Sequence, residues 1–325
     1  MAFMPTMRKK KVFLIGRYPP PLGGVTVFIR RYSEFLRASG FDVEIFDFKK
    51  MSKIKRYLNY AKLIFWPFQA TYHLSEFPGT ILRLILFRFF QSEIIVFHHS
   101  KAWIEKLGEE TPGLFKRFLN KVDECVFAGP HLKEFYCKYN FGLPIKTKIE
   151  SAFYPPNLAD ESAILIGYEH EVLRFVGNHS PLIVANASRI SFDNAIDVYG
   201  LDMCVELIGR LRERFGNIGL LFALSLVNDQ EYYLKINEAI DRRGVRDNFC
   251  FMTGNHELWP LFKKADLMIR PTCSDGSSVS IAEALYFNCP VVASDVCPRQ
   301  PHVVLFRNRN TTDLHLKCLS ILKDK

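Results

Sequence analysis

The stretch RPTCSDGSSVSIAEALYFNCPVVASD, residues 270–295, decides how this chain is read. DLMIRPT (266–272) is a short apolar strand, CSDGSS a polar turn, and VSIAEALYF (279–287) a helical segment. PVVASD (290–295) follows as another strand. Strand, turn, helix and strand in that order make a crossover unit of a parallel sheet. Two carboxylates, Asp275 and Glu283, stand eight residues apart across the turn. Gly276 permits the tight turn, and Ser277 and Ser278 suit the N-cap of the helix.

Outward from this unit, the alternation continues in both directions. PLIVANAS (181–188), IGLLFALS (218–225) and FCFMTG (249–254) are strands, with helices expected near 201–215, 229–243, 257–265 and 279–288. The first half repeats the scheme. KVFLIG (11–16), DVEIFDF (42–48), EIIVFHH (93–99) and CVFAG (125–129) are strands, and VTVFIRRYSEFLRASG (25–40) is an amphipathic helix stopped by Gly40. AFYPPNLADES (152–162), with its paired prolines, reads as a hinge. The expected fold class is therefore α/β, two doubly wound Rossmann-like domains, 1–156 and 157–325, facing each other across a ligand-binding cleft.

Composition narrows the function. Of 325 residues, 48% are apolar and 24% charged, which fits a globular chain. The eight cysteines form no Cys-x-x-Cys pair and no His/Cys ligand set, so reduced thiols of a cytosolic protein are expected. The apolar run after the basic N-terminus is too short for a signal peptide, and no stretch suits a spanning helix. Residues 1–156 hold 25 Lys+Arg against 13 Asp+Glu, a balance of +12, whereas the remainder balances at −3. A basic first half points to an anionic surface.

Several residues stand where chemistry is expected. In PPPLGGVTVF (19–28), Gly23 and Gly24 open a helix after the first strand and leave backbone N–H groups open to an anion, or make only a tight turn. His98 and His99 end a strand, and alternation sends one toward a ligand and the other into packing. Arg189 follows the strand at 181–188; it is placed to pair with a phosphate, or with Asp193 on the surface. For Asp275 and Glu283, one carboxylate suits a sugar hydroxyl and the other a ribose, while the helix start holds a phosphate.

These residues carry a resemblance. The chain is similar, over nearly its whole length, to retaining glycosyltransferases of the GT-B fold, family 4, of the bacterial surface-polysaccharide type. DGSSVSIAE (275–283) resembles the family's Glu-x7-Glu motif, and PVVAS (290–294) its downstream run; LGGV and the strand-end histidine add to the match. The resemblance implies that the first domain is the acceptor side and the second the donor side. It implies that Glu283 binds the ribose of a nucleotide-sugar donor and Asp275 the donor sugar. Gly23, Gly24, Ser278 and Val279, with Gly276 and Ser277 beside them, would meet the diphosphate with Arg189. Asn255, in TGNHEL (253–258), would meet the nucleobase. His98 would stand at the anomeric centre, with His99 as the alternative.

This chain departs from the pattern twice. The first motif acid is Asp rather than Glu, and Asn194 and Ala195 stand where the family has a phosphate-binding lysine. Arg270 is a candidate substitute for that lysine, or a structural strand residue.

The expected function is transfer of a hexosyl or N-acetylhexosaminyl unit from a nucleotide sugar to a glycan or lipid-linked acceptor, with no cofactor and no metal. A non-catalytic scaffolding subunit and a nucleotide-sugar epimerase are the alternatives. KKMSKIKRYLNYAKLIFWPF (49–68) and GTILRLILFRFF (79–90) interleave basic and aromatic residues. They suit an anionic membrane surface, and hence a cytoplasmic protein held on the inner face of the plasma membrane. No nucleic-acid module accompanies the charge.

Overall fold

The computed structural model describes residues 10–88, 92–276 and 278–323. The chain forms two units, one of Met1–Pro19 with Val25–Tyr154, the other of Pro20–Gly24 with Pro155–Lys325. Each is built on a six-stranded sheet whose strands all run parallel. Short apolar runs such as the four residues Val12–Ile15 need cover on both faces, and helical crossovers supply it.

The first unit runs β1 (Lys11–Ile15), α1 (Gly24–Ala38), β2 (Asp42–Phe46), α2 (Lys53–Phe65), β3 (Ala70–Leu74), α3 (Gly79–Leu86), β4 (Ser92–His98), α4 (Lys101–Glu110), α5 (Pro112–Leu119), β5 (Glu124–Phe127), α6 (Pro130–Lys138) and β6 (Lys146–Ile149). Its strand order is β2-β1-β3-β4-β5-β6. The core beneath α2, α3, α5 and α6 is aromatic, with Phe13, Tyr72, Phe115 and Tyr136 fully enclosed. β3 and β6 were not expected from the sequence. In β3, ATYHL, the buried His73 interrupts the apolar pattern, and a hydrogen bond of 2.8 Å to Tyr32 satisfies it.

The second unit opens with α7 (Glu161–Ile166) and α8 (His170–Asn178), then β7 (Leu182–Ala187) and a small hairpin, β8 (Phe192–Asp193) with β9 (Ile196–Asp197). It continues through α9 (Leu201–Phe215), β10 (Gly219–Leu224), α10 (Gln230–Arg242), β11 (Phe249–Thr253), α11 (Trp259–Phe262), β12 (Leu267–Arg270), α12 (Val279–Tyr286), β13 (Val291–Ser294), β14 (Val303–Phe306) and α13 (Thr311–Leu322). Strand order is β11-β10-β7-β12-β13-β14. Alternate residues of β7 feed two cores: Ile183 and Ala185 enter one, Leu182 and Val184 the other.

The winding reverses between β7 and β12. A doubly wound sheet opens a crevice beyond its strands' carboxyl ends at such a switch point. In this unit the segment after Ala187 and the loop after Arg270 border it.

Gly200, which caps α9, holds the loop after β12 in place. Its φ is +66°, and a Cβ there would stand 2.3 Å from the Pro271 carbonyl oxygen. The left-handed backbone alone costs a non-glycine residue about 1–2 kcal/mol. Gly200→Ala is therefore expected to lower the unfolding free energy measured by urea titration by more than that cost, and a Gly244→Ala control, with no backbone atom near its Cβ, by less.

Candidate functional site

The quoted stretch folds as strand, loop and helix. β12 ends at Arg270, and α12 begins after Ser278, whose hydroxyl accepts the Ile281 N–H at 3.4 Å. Ser277, expected at the helix start, lies outside the described residues. The N–H groups of the first turn, at Val279 and Ser280, are left for another partner, and the helix end carries partial positive charge. Glu283 lies one turn further, 5% exposed. Gly276 donates its N–H to Asp275 Oδ1 at 3.1 Å and closes the turn.

Asp275 is more heavily engaged than the sequence suggested. Its Oδ2 accepts from Arg299 Nη1 at 2.8 Å and from Arg270 Nε at 3.2 Å. Both guanidiniums are anchored in turn. Arg299 donates to the Ser294 carbonyl at 3.2 Å, and Arg270 donates to the Asn186 carbonyl at 3.0 Å and lies over the Tyr199 ring. Burial alone would raise the Asp275 pKa. The two arginines outweigh it and hold the carboxyl at about 2. Arg299 was not singled out in the sequence because it stands 24 residues beyond its partner. Arg270, weighed there as a phosphate ligand, serves as a buried support of the loop.

Arg189 follows β7 and is exposed. It makes no ion pair with Asp193 or any other acid among the described residues, so its fork of donors is open to a ligand. The two positions without a lysine, Asn194 and Ala195, are the turn of the β8–β9 hairpin, both with positive φ, +47° and +65°. Two left-handed residues in a row make the tight two-residue turn that suits a hairpin.

By its contacts, Pro20–Gly24 groups with the second unit. Leu22 donates its N–H to Asn255 Oδ1 at 2.8 Å. A Cβ on Gly23 would meet Ser188 at 3.6 Å, and one on Gly24 would meet Val279 at 3.5 Å. The glycine pair, Asn255, Val279 and the residue before Arg189 are thus gathered together.

The structure reverses the expected order of the two histidines. His98 is 1% exposed and stacked between Phe77 and Phe127; its Nε2 lies 2.6 Å from the Tyr136 hydroxyl. Burial lowers its pKa to about 3, and it has no open face for a substrate. His99 points the other way, against Phe28, with Nε2 at 3.2 Å from Ser75 Oγ. It is half-buried, and desolvation lowers its pKa to about 4, so it is a neutral imidazole at pH 7. Strand alternation predicted opposite directions, and packing assigns His98 to the core.

Comparison with known proteins finds likenesses that bear on these features. The model of the family described as Glycosyl transferases group 1 matches residues 188–324, from the residue before Arg189 to the last helix. These residues are thus similar to a group 1 glycosyl transferase domain. Over 98 residues the chain is 28% identical to the lipopolysaccharide glucosyltransferase WaaG of Escherichia coli, a match covering 30% of this chain and 25% of that relative. Three solved structures share the fold over 97% of the chain. A glycosyltransferase from Rickettsia africae aligns with a TM-score of 0.68 at 14% identity, over 88% of its length. HepE of Anabaena, solved with UDP, gives 0.66 at 14%, over 90%. A sucrose-phosphate synthase from Thermosynechococcus elongatus gives 0.63 at 15%, over 90%. The fold is GT-B, two parallel-sheet α/β domains.

Two tests follow from the geometry. Asp275 titrates near 2 in the folded chain and near 3.8 unfolded, so it stabilises the fold fully above about pH 4. That contribution, about 2 kcal/mol, is lost as pH falls from 4 toward 2. Asp275→Asn should remove this part of the pH dependence and, by leaving two arginines buried without a counter-charge, cost about 3–5 kcal/mol at neutrality. Urea unfolding of both proteins across pH 2–7 measures it.

The histidines separate in a second experiment. His98→Ala empties a filled core position and should cost about 2–5 kcal/mol of stability. His99→Ala should leave the melting temperature near that of the parent while changing the properties of any site it serves. Equal losses of stability in the two variants would contradict the assignment.

Proposed function

We propose that this chain is a glycosyltransferase that moves a hexosyl or N-acetylhexosaminyl unit from a nucleotide-sugar donor to a glycan or lipid-linked acceptor. The second unit takes the donor and the first the acceptor. The observation that carries the reading is the gathering, at the switch point of the second sheet, of an Arg189 with no acid partner among the described residues, the open N-terminus of α12 and buried Glu283. The group 1 domain match over the same residues supports it. The UDP in the HepE structure and the lipopolysaccharide glucosyltransferase activity of WaaG suggest a nucleoside diphosphate donor and a surface glycan.

Each residue has a role in this reading. Arg189 and the first N–H groups of α12, at Val279 and Ser280, meet the diphosphate, together with the backbone of Gly23 and Gly24. A fixed positive field there stabilises the charge that develops on the leaving group, and no divalent cation is needed. Glu283 accepts hydrogen bonds from the ribose hydroxyls, and Asn255 marks the nucleobase loop. His99 rather than His98 stands at the anomeric centre, where a neutral imidazole accepts or donates a hydrogen bond without adding charge. Transfer proceeds with retention of the anomeric configuration, on the inner face of the plasma membrane, within surface-polysaccharide assembly.

A second reading, a non-catalytic subunit that scaffolds partners, rests on two observations. Asp275 is committed to two arginines rather than open to a sugar, and a hairpin turn stands where the family's lysine would be.

Calorimetric titration with UDP, GDP, ADP and CMP and their sugar conjugates separates the readings. One nucleotide should bind, and Arg189→Ala should weaken it about tenfold or more, the worth of a charge-assisted hydrogen bond. Glu283→Gln should weaken the nucleotide and leave inorganic pyrophosphate unaffected. Turnover should persist in EDTA, and NMR of the product should show the donor's anomeric configuration. A folded chain that binds none of these ligands favours the scaffold.

A further inference from the structure

The first unit carries a feature that donor chemistry does not use. Helix α2, KIKRYLNYAKLIF, buries only Leu63. Ile54, Leu58, Ala61 and Phe65, spaced four, three and four residues apart, form one stripe along its outer side. Ile54 is 75% exposed, Leu58 65% and Phe65 61%. Tyr57 stands beside the stripe, Phe68 continues it, and Phe87, at the end of the adjacent α3, is also exposed. Contiguous apolar exposure on this scale marks a surface with a partner.

The charge around the stripe indicates which partner. α2, α3 and α5 pack side by side on one face of the sheet. Together they hold seven Lys and Arg and no Asp or Glu. The side chains of Lys53, Lys55, Arg83, Lys116 and Arg117 pair with no acid among the described residues. An isologous contact between two copies would set these cations against one another with nothing to offset them. An anionic bilayer answers both features, because its headgroups attract the cations while the interface receives the apolar stripe.

We propose that the outer side of α2, flanked by α3 and α5, is a membrane-docking surface that lays the first unit on anionic phospholipid. Ile54, Leu58 and Phe65 enter the headgroup boundary, and Lys53, Lys55 and Arg83 meet lipid phosphates. The surface deepens the reading of a lipid-carried acceptor, and its test requires neither donor nor acceptor.

Flotation of the full chain with vesicles provides the test. The chain should float with vesicles of phosphatidylcholine mixed with phosphatidylglycerol, remain behind with phosphatidylcholine alone, and detach as salt is raised. Lys53→Gln and Lys55→Gln should each reduce partitioning about fivefold. The triple variant Ile54→Ser, Leu58→Ser, Phe65→Ser should lose flotation at an unchanged melting temperature, since all three side chains are exposed. The proposal falls if the triple variant floats like the parent. It also falls if the parent ignores anionic vesicles and instead elutes as a dimer that the triple variant converts to monomer. Flotation without nucleotide binding would leave this surface standing and overturn only the donor site.

Discussion

One carboxylate between two guanidiniums holds the second unit's switch point together. Desolvating three charges is expensive, and the cost is offset only where each partner's remaining hydrogen-bonding groups are also met. Here they are met by the backbone. Arg270 reaches the end of β7 through the Asn186 carbonyl, and Arg299 reaches the end of β13 through the Ser294 carbonyl. The Ser294 hydroxyl donates in turn to the Thr272 carbonyl at 2.6 Å. Asp275 therefore ties three adjacent strand ends to the loop that starts α12. An aspartate suits this task, since a shorter side chain draws the guanidiniums in close to the turn that Gly276 makes.

The cluster also shapes the field at the crevice. With two arginines and one aspartate it keeps one positive charge, behind a loop whose helix already presents a positive end. Arg189 adds an exposed charge at the neighbouring strand. With no lysine at positions 194 and 195 the chain still presents an electropositive switch point. Part of the charge is buried and faces inward, and part of it is exposed and faces outward. That arrangement favours an anionic ligand and leaves the loop without the free carboxylate that the motif led one to expect.

Much of the fold was legible because parallel strands buried on both faces write themselves as apolar runs, and β1, β4, β7, β10, β11 and β13 all do so. β3 was not, because His73 breaks the run and only a tertiary hydrogen bond makes it tolerable. The edge strand β14 is short and only partly covered, with Leu305 exposed, and the hairpin at Asn194–Ala195 has too little chain to show a period. At the site, spacing revealed Asp275 and Glu283 but not what holds them. The partner Arg299 lies across a strand, where no local pattern reaches. The histidines show the same limit in another form. Alternation separates His98 from His99, yet with helices on both faces of a sheet it carries no sign of which direction is core.

Helix α2 presents the converse problem, a pattern with two solutions. Its apolar residues lie on more than one side, so periodicity alone allows either stripe to be buried. Packing against the core decides between them. Leu63 enters the core with Tyr60 and Trp66 packed beside it, which leaves Ile54, Leu58 and Phe65 outside, and Lys62 turns to Glu44 at 2.7 Å near the edge strand. Acids elsewhere in the unit are similarly spent close to the sheet, as Glu124 is on Lys148 and Asp42 on Lys11. The +12 of the first half is therefore not spread evenly over its surface. Pairing near the strands removes the neutralising partners from α2, α3 and α5, and with its core face packed the outer side of α2 is left both apolar and cationic.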